Sequence, residues 1–133
     1  MRIRICACLL LLLAVFGSRA QQQPRVTGFF SDMHYIREAG DVIGTEVWIA
    51  YARGSYYAAV QSAEGEPDPP VVVPVEVSGA RVKFTVRQPL VYGDGRPAPD
   101  SVTNYNGTVT RAGLSGTVNS QPFNLKRRNS YWQ

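Results

Sequence analysis

Few residues in this chain can do chemistry, and most of them are in the wrong company for it. His34 is the only histidine. Asp32 lies two positions earlier, so on an extended strand both side chains share a face, the start of a proton-transfer pair without a nucleophile beside it. A hydrolase or lyase working through His34 is therefore the weakest of three functional readings. One histidine also offers too few ligands for a histidine metal site. Glu64, Glu66 and Asp68 crowd one segment, and Asp94 and Asp100 another. Neither has the ligand spacing or the terminal glutamate of an EF-hand loop, and both read as solvated turns. The expectation is no catalytic residue, no metal and no cofactor.

Both cysteines, Cys6 and Cys8, lie at the start of an apolar run from Ile5 to Phe16 that begins behind Arg2 and Arg4 and is followed by small residues. That is the layout of an export signal, with Ser18 and Ala20 at positions −3 and −1 of a cut after Ala20. The run is too short for a bilayer span, which takes about 20 apolar residues. The expected organisation is a signal peptide over 1–20 and one domain over 21–133, secreted or periplasmic, with no membrane span in the mature chain. Without Cys6 and Cys8 the mature chain has no disulfide and no thiolate. Its charge also falls: of 14 basic and 10 acidic residues, Arg2, Arg4 and Arg19 leave with the signal, and a net of +1 remains. A nearly neutral chain lacks the clustered basic face of a nucleic-acid binder. The tail Lys126-Arg127-Arg128 with Tyr131-Trp132 is too small a footprint to change that.

The elements that position these residues are short β-branched and aromatic runs divided by Gly, Pro, Asn and Asp, with no helical period. Three hairpins stand out. Thr45 to Ser62 turns at Arg53-Gly54 and puts Val47, Ile49, Tyr51, Tyr56, Ala58 and Val60 on one face. Val71 to Arg87 alternates valines with polar residues. Taken with Ser78-Gly79 as a two-residue turn, it sets Val77 opposite Ala80 and Glu76 opposite Arg81. Asn104 to Val118 sets Tyr105 opposite Val118, Gly107 opposite Gly116 and Val109 opposite Leu114, and two facing glycines imply a close backbone approach. Phe123 and Leu125 begin a last strand. Val26 to Phe30 and Met33 to Arg37 read as strands, while Glu64–Pro70 and Gln88–Ser101 read as loops. Pro74 inside a strand marks an edge or a bulge. The sum is an all-β, antiparallel up-and-down meander of 7–8 strands, forming a small closed or nearly closed barrel. Outward Glu76, Arg81, Lys83 and Arg87 exclude a lipid-facing band, and with it an outer-membrane barrel.

One outward face breaks the polar pattern. On the Thr45–Ser62 hairpin it carries Trp48 and Tyr57, with Ala50 and Ala59 between them, where solvent normally meets charge. Such a face either lies beneath the lead-in or the 88–101 segment, or is a contact surface for a protein partner, a second copy or a ligand.

The cadence Gly107-Thr-Val-Thr110, Gly113-Leu-Ser-Gly-Thr-Val118 and Phe123…Leu125…Arg127 resembles the small lipocalin-like or avidin-like β-domains of exported bacterial proteins. The Trp48 strand and the Val71–Val86 hairpin fit the same likeness. The resemblance implies a meander barrel and a non-catalytic role, and it brings no family active site to any residue here. The first functional reading is thus an exported, non-catalytic binding module of the bacterial envelope. The second is a carrier of a small apolar ligand inside the barrel.

Overall fold

The computed structural model describes residues 25–133; the signal-peptide expectation falls on residues outside that range. Every regular element described is a strand: β1 Gly28–Ser31, β2 His34–Ile36, β3 Asp41–Ala52, β4 Ser55–Gly65, β5 Val71–Ser78, β6 Arg81–Val91, β7 Pro97–Val109, β8 Gly113–Val118 and β9 Gln121–Arg127. From β3 onward each pairs antiparallel with the next, and β1 closes the ring by pairing with both β3 and β9. β1 and β2 run along β3 in one unbroken register, Gly28 opposite Ile49 through to Ile36 opposite Asp41. They act as a single strand interrupted at Asp32-Met33, where the Asp32 carboxylate accepts the Thr45 amide at 2.6 Å and Ser31 Oγ accepts that of Met33 at 3.1 Å. The fold is therefore a closed barrel of eight antiparallel strands, the first one broken.

Strand alternation decides what fills it. Phe30, Val47, Ile49, Ala58, Val60, Val73, Val75, Val82, Phe84, Val86, Tyr105, Val109, Leu114 and Leu125 all point inward and form one buried cluster. Phe84 stacks on Tyr105 with centroids 4.6 Å apart, and Phe123 meets Tyr105 edge-on at 5.6 Å. Burial, and secondarily the negative charge of Asp32, pushes the Tyr105 hydroxyl above its ordinary pKa, which keeps this side chain neutral in the core. Tyr51 departs from the expected inward row: it is exposed, since β1 ends at the Gly28–Ile49 pair and nothing covers the rim beyond it.

The β3–β4 and β7–β8 hairpins hold the expected pairs, Trp48 opposite Ala59 and Gly107 opposite Gly116 among them. The facing glycines are a true close approach, since a Cβ on Gly116 would run into the Asn106 carbonyl and the Gly107 Cα. The β5–β6 hairpin differs by two residues. Val77 faces Val82 and Glu76 faces Lys83, so the turn is Gly79-Ala80. Gly79 has φ +61° while Ala80 stays out of the left-handed region, and a two-residue turn of that kind takes glycine at its first position. A slip of two leaves every side chain on its expected face.

Only three residue pairs join β5 to β6, and Pro74 explains why. Val109 N–H bonds Ala80 C=O, so even-numbered β6 residues direct their backbone to β7 and odd-numbered ones to β5. The next ladder step past Glu76–Lys83 would join Thr85 to Pro74, which has no N–H to give. The seam opens there, as the edge reading of Pro74 expects. The Gln88–Ser101 segment is not a loop. It continues β6 and β7 past the barrel rim as a two-stranded ribbon, bulged between Gln88 and Leu90. Beyond the rim both strands are edges, the setting in which Pro89, Pro97 and Pro99 are tolerated.

Closure depends on Arg127. β1 and β9 share two residue pairs, Phe30–Arg127 and Ser31–Lys126. The Arg127 guanidinium lies over the Phe30 ring at 4.7 Å and donates to the carbonyls of Thr27, Arg25 and Thr110. A planar fork of donors is suited to tying the segment before β1 and the β7–β8 turn to β9.

Candidate binding face

Trp48, Tyr57, Ala50 and Ala59 all point outward, as the alternation requires. Trp48 and Tyr57 are exposed, and the two alanines are half-buried. The 88–101 ribbon does not cover them, and the lead-in before residue 25, the other expected cover, lies outside the described residues. In-register pairing extends the face on both sides. Phe29 on β1 lies beside Trp48, and Val72 and Pro74 on β5 lie beside Ala59 and Tyr57. Phe29 and Trp48 stack with centroids 5.4 Å apart and planes 8° from parallel, an offset arrangement that adds to the area they bury. The result is an apolar band four strands wide, with no formal charge on β1, β3, β4 or β5 in the rows of Trp48 and Tyr57 and with Arg128 flanking it beyond Phe29.

The row above that band ends differently. Glu46 points outward and would be an ordinary solvated carboxylate, yet it is only 6 % exposed. The C-terminal residues fold over it. Ser130 Oγ donates to one carboxylate oxygen and the Tyr131 amide to the other, each at 2.7 Å. Trp132 Nε1 donates to Gln61 Oε1 at 2.8 Å, directly across from Glu46 in the β3–β4 register. Both carboxylate oxygens are thus satisfied, as a buried charge demands. Tyr131 and Trp132 meet edge-on at 4.9 Å, and Trp132 stays exposed. The aromatic tail is therefore a fixed part of this face rather than a free terminus. Phe29, Val72 and Trp132 are not identifiable from local patterns, because each reaches the face through a pairing with a distant segment. The aromatic pair at 131–132 was the available signal for the tail.

The other chemically capable residues stay apart. His34 is exposed, and its Nδ1 is 2.9 Å from the backbone carbonyl of Asp32, while the Asp32 carboxylate is held by Thr45. Among the described residues no three His, Cys, Asp or Glu side chains converge as a metal site. Asp94 is paired with Arg96 at 2.7 Å at the tip of the ribbon, and the backbone and side-chain N–H groups of Arg96 hold its carboxyl below the usual range. Where β5 and β6 part, a wall cleft of about 560 Å³ opens outward over Val75, Phe84 and Tyr105, rimmed by Glu76, Lys83 and Asn106. No family model, curated protein or solved structure matches the chain.

Proposed function

We propose that this protein is an exported, non-catalytic binding module of the cell envelope, built on a lipocalin- or avidin-like barrel, that works through its outer aromatic face. The observation that carries this reading is the Phe29–Trp48 stack, left open by the described residues, with Tyr57 and Val72 beside it. Apolar side chains placed outward on four adjacent strands make a contiguous patch, and such patches on soluble domains mark contact surfaces. The inward side chains meet in a single buried cluster, which supports a working surface on the outside of the barrel rather than a carried ligand within it.

The test is co-sedimentation of the full chain with the envelope fraction of the cells that export it. Trp48→Ser removes the stacked ring while leaving the inward rows intact, so its stability should change by about 1 kcal/mol or less. Its retention should fall at least about tenfold, the loss expected of an aromatic anchor. Equal retention by a folded Trp48→Ser protein refutes the reading. An unfolded variant would show that Trp48 is core, which refutes it equally.

A further inference from the structure

The face lies in mid-sheet. β4 is paired with β3 on one side and β5 on the other over Tyr56–Val60, so its backbone has no free groups with which to register an added strand. Recognition there falls to side chains, and their layout is specific. Phe29 covers one face of the Trp48 indole from the β1 side. The other face turns toward β4, where the residue directly opposite is Ala59, a single methyl. The next side chain in that row is Val72 on β5, exposed and two strand spacings from Trp48, about 9.6 Å away. These three make a trough with an indole wall, a methyl floor and an aliphatic far side, wide enough for one flat ring. Tyr57 stands two residues along β4 in one direction. Gln61, which anchors Trp132, stands two residues along in the other. Each is about 6.6 Å from Ala59, of the order of one hexose unit.

The chemistry of the trough is as particular as its shape. Its walls and floor are uncharged, and Glu46, the nearest carboxylate, has both oxygens occupied by the tail. A cationic peptide finds no free carboxylate there, and the cation beside the band, Arg128, lies beyond Phe29, whose carbonyl its amide bonds, on the side of the stack away from the trough. What the trough offers is ring faces edged by the Trp48 indole N–H and the Tyr57 hydroxyl; Trp132 adds its ring alone, since its N–H is donated to Gln61. A pyranose has the matching character, with apolar C–H faces inside a rim of hydroxyls. Resting on the binding-module reading, we propose that the trough binds a neutral linear glycan. One sugar stacks on the free face of Trp48, and its neighbours lie against Tyr57 and Trp132. Glu46 is a positioning residue, since it holds the segment that carries Trp132.

The chain contains two tryptophans, Trp48 and Trp132, so its intrinsic indole fluorescence reports on this trough alone. The full chain is titrated with cellohexaose, with chitohexaose and with a decaproline peptide. A saturable emission change is expected with at least one hexasaccharide. Trp48→Phe and Tyr57→Ala should each weaken it about tenfold, read by calorimetry because Trp48→Phe alters the signal. Glu46→Ala should weaken it several-fold and raise amide exchange at Tyr131, which a purely structural role for Glu46 in the barrel would not do selectively. The glycan assignment is overturned by no saturable response to either sugar, by unchanged affinity in the folded variants, or by a response to decaproline alone. If envelope co-sedimentation still depends on Trp48 in those cases, only the ligand class is wrong. If it does not, the binding-module reading falls with it.

Discussion

Gly113→Ala is expected to destabilise the barrel by about 4 kcal/mol or more, most of the stability of a small domain. Gly113 opens β8 and faces Lys126 across the β8–β9 ladder. A Cβ at this position would coincide with the Leu125 carbonyl and press on the Lys126 Cα. These are backbone atoms, so no rotamer change relieves the clash, and the two strands must separate. Separation would break the Leu114–Leu125 pair, both of whose side chains are buried, and pull on the Arg127 amide bonded to Ala112. Gly93 provides the control. It sits in the ribbon tip with nothing within 4 Å of its own ideal Cβ, and Gly93→Ala should fall within about 0.5 kcal/mol of the parent or slightly above it. Chemical denaturation of the two proteins should separate them widely; similar midpoints would contradict the β8–β9 packing.

Phe30→Ala should cost about 3–5 kcal/mol, the range for removing a buried aromatic ring. Phe30 is fully buried, and its position does two jobs. It fills the core between β3 and β9, and it is the ring on which Arg127 rests. Its loss leaves a void and releases the guanidinium that ties Arg25, Thr27 and Thr110 together. Beyond the fall in denaturation midpoint, amide exchange at Lys126 and at Arg128, whose N–H bonds the Phe29 carbonyl, should rise more than at the β3–β4 ladder. A uniform rise across all strands would show that the β1–β9 seam is not the weak closure described above.

Much of this architecture is legible in the sequence, and the exceptions share a cause. Local hairpins are readable because a turn and two alternating strands constrain each other. Arg53-Gly54 thereby places Trp48 opposite Ala59 correctly, and Val109 pairs with Leu114 as the pattern requires. Alternation has period two, however, so it distinguishes faces but not slips of two, and the β5–β6 turn moves from Ser78-Gly79 to Gly79-Ala80 without changing a single face. Composition misleads at Gln88–Ser101, where proline and glycine suggest a loop while the segment forms a ribbon whose outer edges need no ladder partner. The closure by β1 and β9 pairs residues about 97 positions apart, Phe30 with Arg127, and no local periodicity carries that information. The site follows the same division. Trp48, Tyr57, Ala50 and Ala59 are visible as an anomaly within one hairpin. Phe29, Val72 and Trp132 join them only once the barrel is closed and Glu46 has captured the tail.

The most direct test of the central claim is photo-cross-linking in the cells that produce the protein, because it does not depend on knowing the ligand. p-Benzoylphenylalanine is placed at Val72, on the rim of the aromatic trough, and in a second protein at Asn106, on the rim of the wall cleft. Both positions are exposed and point outward, so both variants should fold. The account predicts an adduct at position 72 that disappears when Trp48→Ser is added, and little or none at position 106. An adduct at 106 with none at 72, or one at 72 that is indifferent to Trp48, would contradict it.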